Sequence, residues 1–124
     1  MQKRRQNVVQ TERFPSEGEP TALSLTDAKS LFLQDIKDLS RETQRWHREN
    51  LTAFEKVLAK QNIAVEDVTQ LTPTFIRHKF AFYMLEEMGL KPNTINGRIR
   101  SVRAMIKFLV REGYLPNDFG PMFR

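Results

Sequence analysis

The segment from Lys91 to Arg111 carries two stripes of different chemistry at helical spacing, and this limits the folds open to the chain. Apolar residues recur every three or four positions, at Ile95, Ile99, Val102, Ile106 and Leu109. Polar and basic residues recur with the same spacing, at Asn96, Arg100, Arg103, Lys107 and Arg111. This period is typical of an amphipathic helix with one face in a protein core. The segment therefore predicts a helix that packs on one side and presents cations on a neighbouring side.

The charge of this helix favours an anionic partner. No Asp or Glu occurs between Met88 and Arg111, although surface helices usually mix charges because opposite charges one turn apart stabilise them. The whole chain, 124 residues with a formal net charge of +5, is also basic. Nucleic acid is the commonest partner for such a stripe, and a solvated basic face is the alternative.

Three further helices precede this one, and no strand pattern occurs in the sequence. The four predicted helices run from Asp27 to Leu39, from Ser40 or Thr43 to Gln61, from Thr72-Pro73 to about Met88, and from Asn93 to Arg111. Thr26, Thr72 and Asn93 are the expected N-caps, and Gly89 and Gly113 the expected C-terminal stops. The third helix carries apolar residues on several sides, which predicts a central position. These segments predict an all-α fold, a small four-helix bundle.

A second basic patch lies on the first turns of the second helix. Its polar and basic residues are Arg41, Gln44, Arg45 and Arg48 on one face, with Thr43 beside them; its apolar positions are Trp46, Leu51, Phe54, Val57 and Leu58. Glu42 and Glu49 weaken the field of this patch. Cations in a first helical turn oppose the helix dipole, and an external anion would relieve that conflict.

Composition excludes several classes of site. The chain has no cysteine, so no disulfide, thiolate metal site or cysteine nucleophile is possible. His47 and His78 are far apart in sequence and predict core-edge or surface positions, so we expect no metal and no cofactor. No apolar run approaches the ~20 residues that span a bilayer, and no signal peptide follows Met1. We therefore expect a cytoplasmic protein with no membrane partner and no small-molecule ligand.

Two features leave alternatives open. Gly97 costs roughly 1 kcal/mol relative to alanine inside a helix, so it indicates close approach of another backbone, either a neighbouring helix or a phosphodiester chain. Surplus apolar residues at Leu33, Phe75 and Phe82 could instead form a docking surface. A helical protein–protein interaction domain is therefore the alternative function, and a single-stranded RNA binder is a weaker third reading.

From Leu25 onward, the chain resembles the N-terminal core-binding domain of the tyrosine recombinases, or phage integrases. The resemblance lies in the first helix, in the restart at Ser40 with the aromatic Trp46, and most of all in the segment from Asn93 to Leu115. It implies an orthogonal, SAM-like four-helix domain over residues 22–117. The polar composition of residues 1–21 predicts a disordered tail before it. Residues 118–124 would then begin a linker to a catalytic domain.

The resemblance implies binding to double-stranded DNA beside other recombinase protomers, with the second and fourth helices facing the major groove. The positions that match the family's contacts are Arg41, Thr43, Gln44, Arg45, Arg48, Asn93, Thr94, Asn96, Arg98, Arg100, Arg103 and Lys107. Most should contact phosphate; Gln44, Asn96, Arg100 and Arg103 are the expected readers of base edges. In this family the tyrosine nucleophile belongs to the C-terminal domain. Tyr83 and Tyr114 are therefore expected to be core or core-edge residues, and no catalysis is expected from this chain.

Overall fold

The fold consists of four helices in a computed structural model that describes residues 22–116. They are α1 (Leu25–Asp35), α2 (Arg41–Lys60), α3, which begins at Pro73–Ile76, and α4 (Pro92–Arg111). A short 3-10 helix at Val68–Gln70 precedes α3. No strand occurs between residues 22 and 116, so the predicted all-α class is confirmed. The predicted tail at 1–21 and the predicted linker at 118–124 lie outside the described residues.

Two predicted N-caps are wrong, by two residues each. Helix α1 is capped by Ser24, whose hydroxyl accepts a hydrogen bond from the Asp27 amide, and not by Thr26. Helix α4 begins at Pro92, which fits the first helical position because its missing N–H would have no helical partner there. Asn93 therefore lies within the first turn. Thr72 caps α3 through the Phe75 amide, as predicted.

Helix α1 is also shorter than predicted. It ends at Asp35, and Leu39 lies outside it with 43% of its surface exposed. Helix α2 then starts from Ser40, whose hydroxyl accepts from the Thr43 amide. This contact decides between the two predicted caps for α2.

Helix α3 changes character along its length. After Pro73–Ile76 it continues as two π-helical segments, Arg77–Ala81 and Tyr83–Glu87, and ends before Gly89, which has a φ of +64°. The wider turn places residues four apart on the same side, so Ile76, Phe80 and Met84 form its buried face. Phe82 and Leu85 are exposed on the remaining surface. The prediction that α3 is central is therefore wrong.

The core is organised around α2 and α4, each of which packs against the three other helices. Phe54 of α2 meets Phe80 of α3 edge-on, with 4.6 Å between the ring centroids. The largest fully buried side chains are Phe54, Phe80, Leu51, Leu58, Leu71, Met84, Met105, Ile106, Leu109, Val57, Val68 and Val102. The two helices that carry the basic patches are thus also the two that organise the core, and this fixes their positions.

Helix α4 ends in a Schellman motif at Gly113, which has a φ of +87°. The Gly113 amide donates to the Val110 carbonyl and the Tyr114 amide donates to the Leu109 carbonyl, which satisfies the last turn. Tyr83 is half-buried against the core, as predicted. Tyr114 is 37% exposed, more than a core-edge position would give.

Candidate nucleic-acid interface

Helices α2 and α4 are joined by a polar contact that we call the α2–α4 seam, formed by His47, Asn50, Gly97 and Ser101. The Ser101 side chain has no exposed surface, yet it is the polar member of an otherwise apolar core. The Asn50 amide nitrogen donates to Ser101 Oγ at 2.9 Å and to the Gly97 carbonyl at 3.2 Å. His47 Nδ1 lies 2.9 Å from the same hydroxyl. Buried polar groups with partners fix one arrangement, so the seam sets how the two basic helices lie relative to each other.

Burial at the seam affects the protonation of His47. Ser101 Oγ accepts a hydrogen bond from Asn50 and is also paired with Nδ1 of His47, where the tautomer of the imidazole sets which of the two atoms donates. Partial burial lowers the pKa of His47 below its ordinary value of 6.5, since desolvation disfavours the imidazolium. The ring also meets Phe32 edge-on at 5.3 Å. His47 therefore occupies a core-edge position, as predicted.

Gly97 lies where α4 faces the side chain of Trp46 on α2. A Cβ atom built on Gly97 would meet Trp46 of α2 at 3.6 Å, which is ordinary van der Waals contact. The Gly97 carbonyl accepts a hydrogen bond from the side chain of Asn50, which also belongs to α2. The neighbour at Gly97 is thus a side chain of α2 and not the backbone of a neighbouring helix, and contact with a phosphodiester chain stays a prediction.

The outward face of α4 carries most of its predicted contact residues. The helix contains five cations and no carboxylate. The exposed predicted residues on it are Asn93, Thr94, Asn96, Arg100 and Lys107. Arg111 is different, because it forms ion pairs with Asp35 of α1 at 2.9 Å and with Glu112 at 3.0 Å. Desolvation alone would lower the pKa of Arg111, but the hydrogen bonds to these carboxylates outweigh it and raise the pKa.

Two arginines of α4, Arg98 and Arg103, are half-buried. Arg98 donates through Nη1 to the Met84 sulfur at 3.7 Å, so it packs toward α3. The Nε atom of Arg103 is buried and has no hydrogen-bond partner among residues 22–116. Orphaned buried donors are uncommon in native proteins and call for an explanation. Among the predicted contact residues, Arg103 is therefore the one with a buried donor atom that lacks a hydrogen-bond acceptor in the described part of the chain.

On α2, the predicted residues divide into exposed cations and residues whose side chains bond the connection between α1 and α2. Arg41, Arg45 and Arg48 are exposed at positions spaced four and three apart, and none forms an ion pair within the described chain. The Gln44 amide donates to the Lys37 and Leu39 carbonyls, at 3.1 and 2.7 Å. The Thr43 hydroxyl accepts from Ser40 at 2.9 Å. The donor that Gln44 would offer to a base edge is thus already used to bond two carbonyls of the α1–α2 connection.

Trp46 lies beside these residues, and the sequence pattern had assigned it to the apolar face of α2. It is 39% exposed. The sequence already indicated that Trp46 lies away from the buried face of α2, because Trp46 and Leu51 are five residues apart and therefore about 140° apart around a helix. An aromatic side chain consequently lies among the predicted contact residues, while Phe108 of α4 is buried against Phe32.

Other kinds of site have no support within the described residues. Between residues 22 and 116 no group of three or more His, Cys, Asp or Glu side chains is placed to hold a metal ion. In the same part of the chain, no helix has both the length and the apolar character needed to cross a membrane.

Comparison with known protein families identifies one match, over residues 30–113, with the family described as phage integrase, N-terminal SAM-like domain. This range includes α2, α3, α4 and the greater part of α1. The chain belongs to this family, and the resemblance found in the sequence is confirmed. Searches of curated proteins and of solved structures found no match.

Proposed function

We propose that this chain is a double-stranded DNA-binding module of a site-specific tyrosine recombinase, and that it holds the recombination site through α2 and α4. The observation that carries the proposal is the charge of α4, a helix of 20 residues with five cations and no carboxylate. Within residues 22–116, Arg111 is the member of this set that is neutralised by ion pairs. Phosphates supply the counter-charges that the remaining cations lack.

The two helices make different contacts with the DNA, with phosphates from α2 and with base edges from α4. Arg41, Arg45 and Arg48 on α2 contact phosphates, which fix the register of the protein on the duplex without reading its sequence. Asn96 and Arg100 on α4 are exposed and have donors suited to adenine and guanine edges. Rotation of Arg103 toward the DNA gives its orphaned Nε donor an acceptor. Gln44 bonds carbonyls of the α1–α2 connection, so it contributes by positioning α2.

The test is a titration of a labelled duplex across salt concentrations. If the domain neutralises roughly five phosphates, the logarithm of the association constant falls with the logarithm of salt concentration with a slope of about −4 to −5. The absence of binding even at low ionic strength would contradict the proposal. Strand transfer belongs to a catalytic domain of the parent recombinase, so the readout is binding and not cleavage.

A protein-interaction role has one specific observation in its favour. Phe82 and Leu85 of α3 are 44% and 48% exposed, whereas Leu33 and Phe75 pack partly against the core. Self-association in sedimentation without DNA, removed by Phe82→Ala, would support this second function.

A further inference from the structure

We infer that Trp46 is an uncharged DNA-contact residue, which packs against the sugar and base surface of the groove between the two sets of cations. This inference rests on the proposed function and adds a contact that neither the charge pattern nor the family match assigns. The evidence is the position of the indole ring, its partial exposure, and the residues on each side of it.

The ring is held in place on its inner side. Its six-membered part lies against Gly97 of α4, at a distance where even one added methyl group would be in contact. The ring centroid of Trp46 lies 5.1 Å from that of His47, and the two ring planes are inclined by 63°. His47 is in turn bonded to Ser101. Trp46 is thus anchored to the α2–α4 seam, and little side-chain freedom remains to be lost when it binds a partner.

The exposed part of the ring lies next to predicted contact residues on both helices. Asn93 and Arg100 are one helical turn before and after Gly97, so they border the same strip of α4 that Trp46 covers. On α2, the predicted contact residue on the same side as Trp46 is Thr43, three residues before it, and the exposed Arg45 lies about 100° further around the helix. A duplex that spans from Arg100 on α4 to Arg45 on α2 crosses the side of α2 that carries the indole ring.

Two carboxylates decide which part of the duplex Trp46 meets. Glu42 and Glu49 lie four residues before and three residues after Trp46, which places them on its side of α2, and both are exposed. They repel phosphates at this point, while the arginines on either side attract them. An apolar ring between carboxylates is suited to deoxyribose carbons and to the methyl group of thymine, which carry no charge. Trp46 consequently faces the floor of the groove and not its phosphate rim.

The wild-type chain provides the test, because Trp46 is its one tryptophan. Binding is followed by anisotropy of a labelled duplex, and the environment of Trp46 by its own emission and by acrylamide quenching in the same titration. We expect emission to change in parallel with binding and quenching by acrylamide to fall. If the duplex binds while both signals stay constant, the inference is wrong and the proposed function stands. If no duplex binds at low salt, the proposed function itself is wrong.

Two substitutions sharpen the result. Trp46→Ala should weaken duplex binding roughly tenfold with the salt slope unchanged, because an uncharged contact releases no counterions. Trp46→Phe keeps an apolar ring against Gly97 and should recover most of the affinity, which guards against a general loss of fold. Tyr114→Ala is the matched control, since Tyr114 is an aromatic residue of similar exposure beyond the end of α4 and its substitution should leave both quantities unchanged. A smaller salt slope in Trp46→Ala, or stronger protection of Trp46 by a single strand than by the duplex, would overturn the inference.

Discussion

The hydroxyl of Ser101 and Nδ1 of His47 lie 2.9 Å apart, and this contact joins α4 to α2 where the Ser101 side chain is completely buried. Asn50 donates to the same hydroxyl, so one oxygen atom holds two side chains of α2. Both helices also carry the cations that the proposed function requires. The polar seam therefore connects the stability of the domain to the geometry of its binding face.

Removal of the Ser101 hydroxyl should destabilise the domain. Ser101→Ala leaves Asn50 and His47 without one hydrogen-bond partner each, and we expect the free energy of unfolding to fall by about 1–3 kcal/mol in urea denaturation. Ser30→Ala is the matched control, because Ser30 is exposed in the interior of α1 and gains the same helix propensity. Equal unfolding free energies in the two variants would show that the seam contributes nothing.

The stability of the domain should depend on pH through His47. Its pKa is lowered by burial in the folded state, so below the unfolded value of 6.5 the unfolded chain binds more protons than the folded one. The stability contributed by neutral His47 is therefore fully present above pH 6.5 and is lost as the pH falls through and below that value. Thermal unfolding of wild type and of His47→Gln between pH 7.5 and pH 5.5 measures the effect. The wild type should lose more stability over this range than the variant. Identical pH profiles would show that folding does not lower the pKa of His47.

Two glycines should respond in opposite ways to substitution by alanine. At Gly113 the φ of +87° strains any residue with a Cβ, so Gly113→Ala should destabilise the domain by about 1 kcal/mol. At Gly97 the added methyl group meets Trp46 at an ordinary contact distance, so Gly97→Ala should stabilise it by up to about 1 kcal/mol through helix propensity. Denaturant midpoints compare the two. A destabilised Gly97→Ala variant would mean that the helices cannot tolerate even this contact.

Arg100 and Arg111 should differ in their contribution to DNA binding, although both belong to the basic stripe seen in the sequence. Arg100 is exposed and has no ion pair within residues 22–116, whereas Arg111 is paired with Asp35 and Glu112. Arg100→Ala should reduce the salt slope of duplex binding by about 0.9, the value for one phosphate contact. Arg111→Ala should leave the slope close to that of the wild type. The reverse result would place the contact surface at the other end of α4.

Local patterns predicted most of the fold because they depend on neighbours along the chain. The apolar spacing located all four helices, and Thr72 before Pro73 marked the start of α3 correctly. The errors at Thr26 and Asn93 arose because several residues near each helix start can cap it, and tertiary contacts choose among them. The π-helical course of α3 has no simple spacing signature and was not foreseen.

The binding surface was harder to predict, since it depends on what each side chain meets from other helices. Charge and spacing gave the exposed cations Arg45, Arg48 and Lys107, whose contacts with DNA stay predictions. They could not show that Gln44 bonds the α1–α2 connection or that Arg111 is neutralised by Asp35. Both partners lie outside the helix that carries the residue concerned.

The sequence by itself determined the all-helical class, the apolar faces and the concentration of positive charge on α4, because periodicity and charge are properties of each segment alone. Only the tertiary structure decided that Gly97 accommodates Trp46, that a single buried hydroxyl joins α2 to α4, and that an indole ring stays exposed among the cations. Those facts depend on the distance and rotation between two helices far apart in the chain, and packing of the whole core sets both.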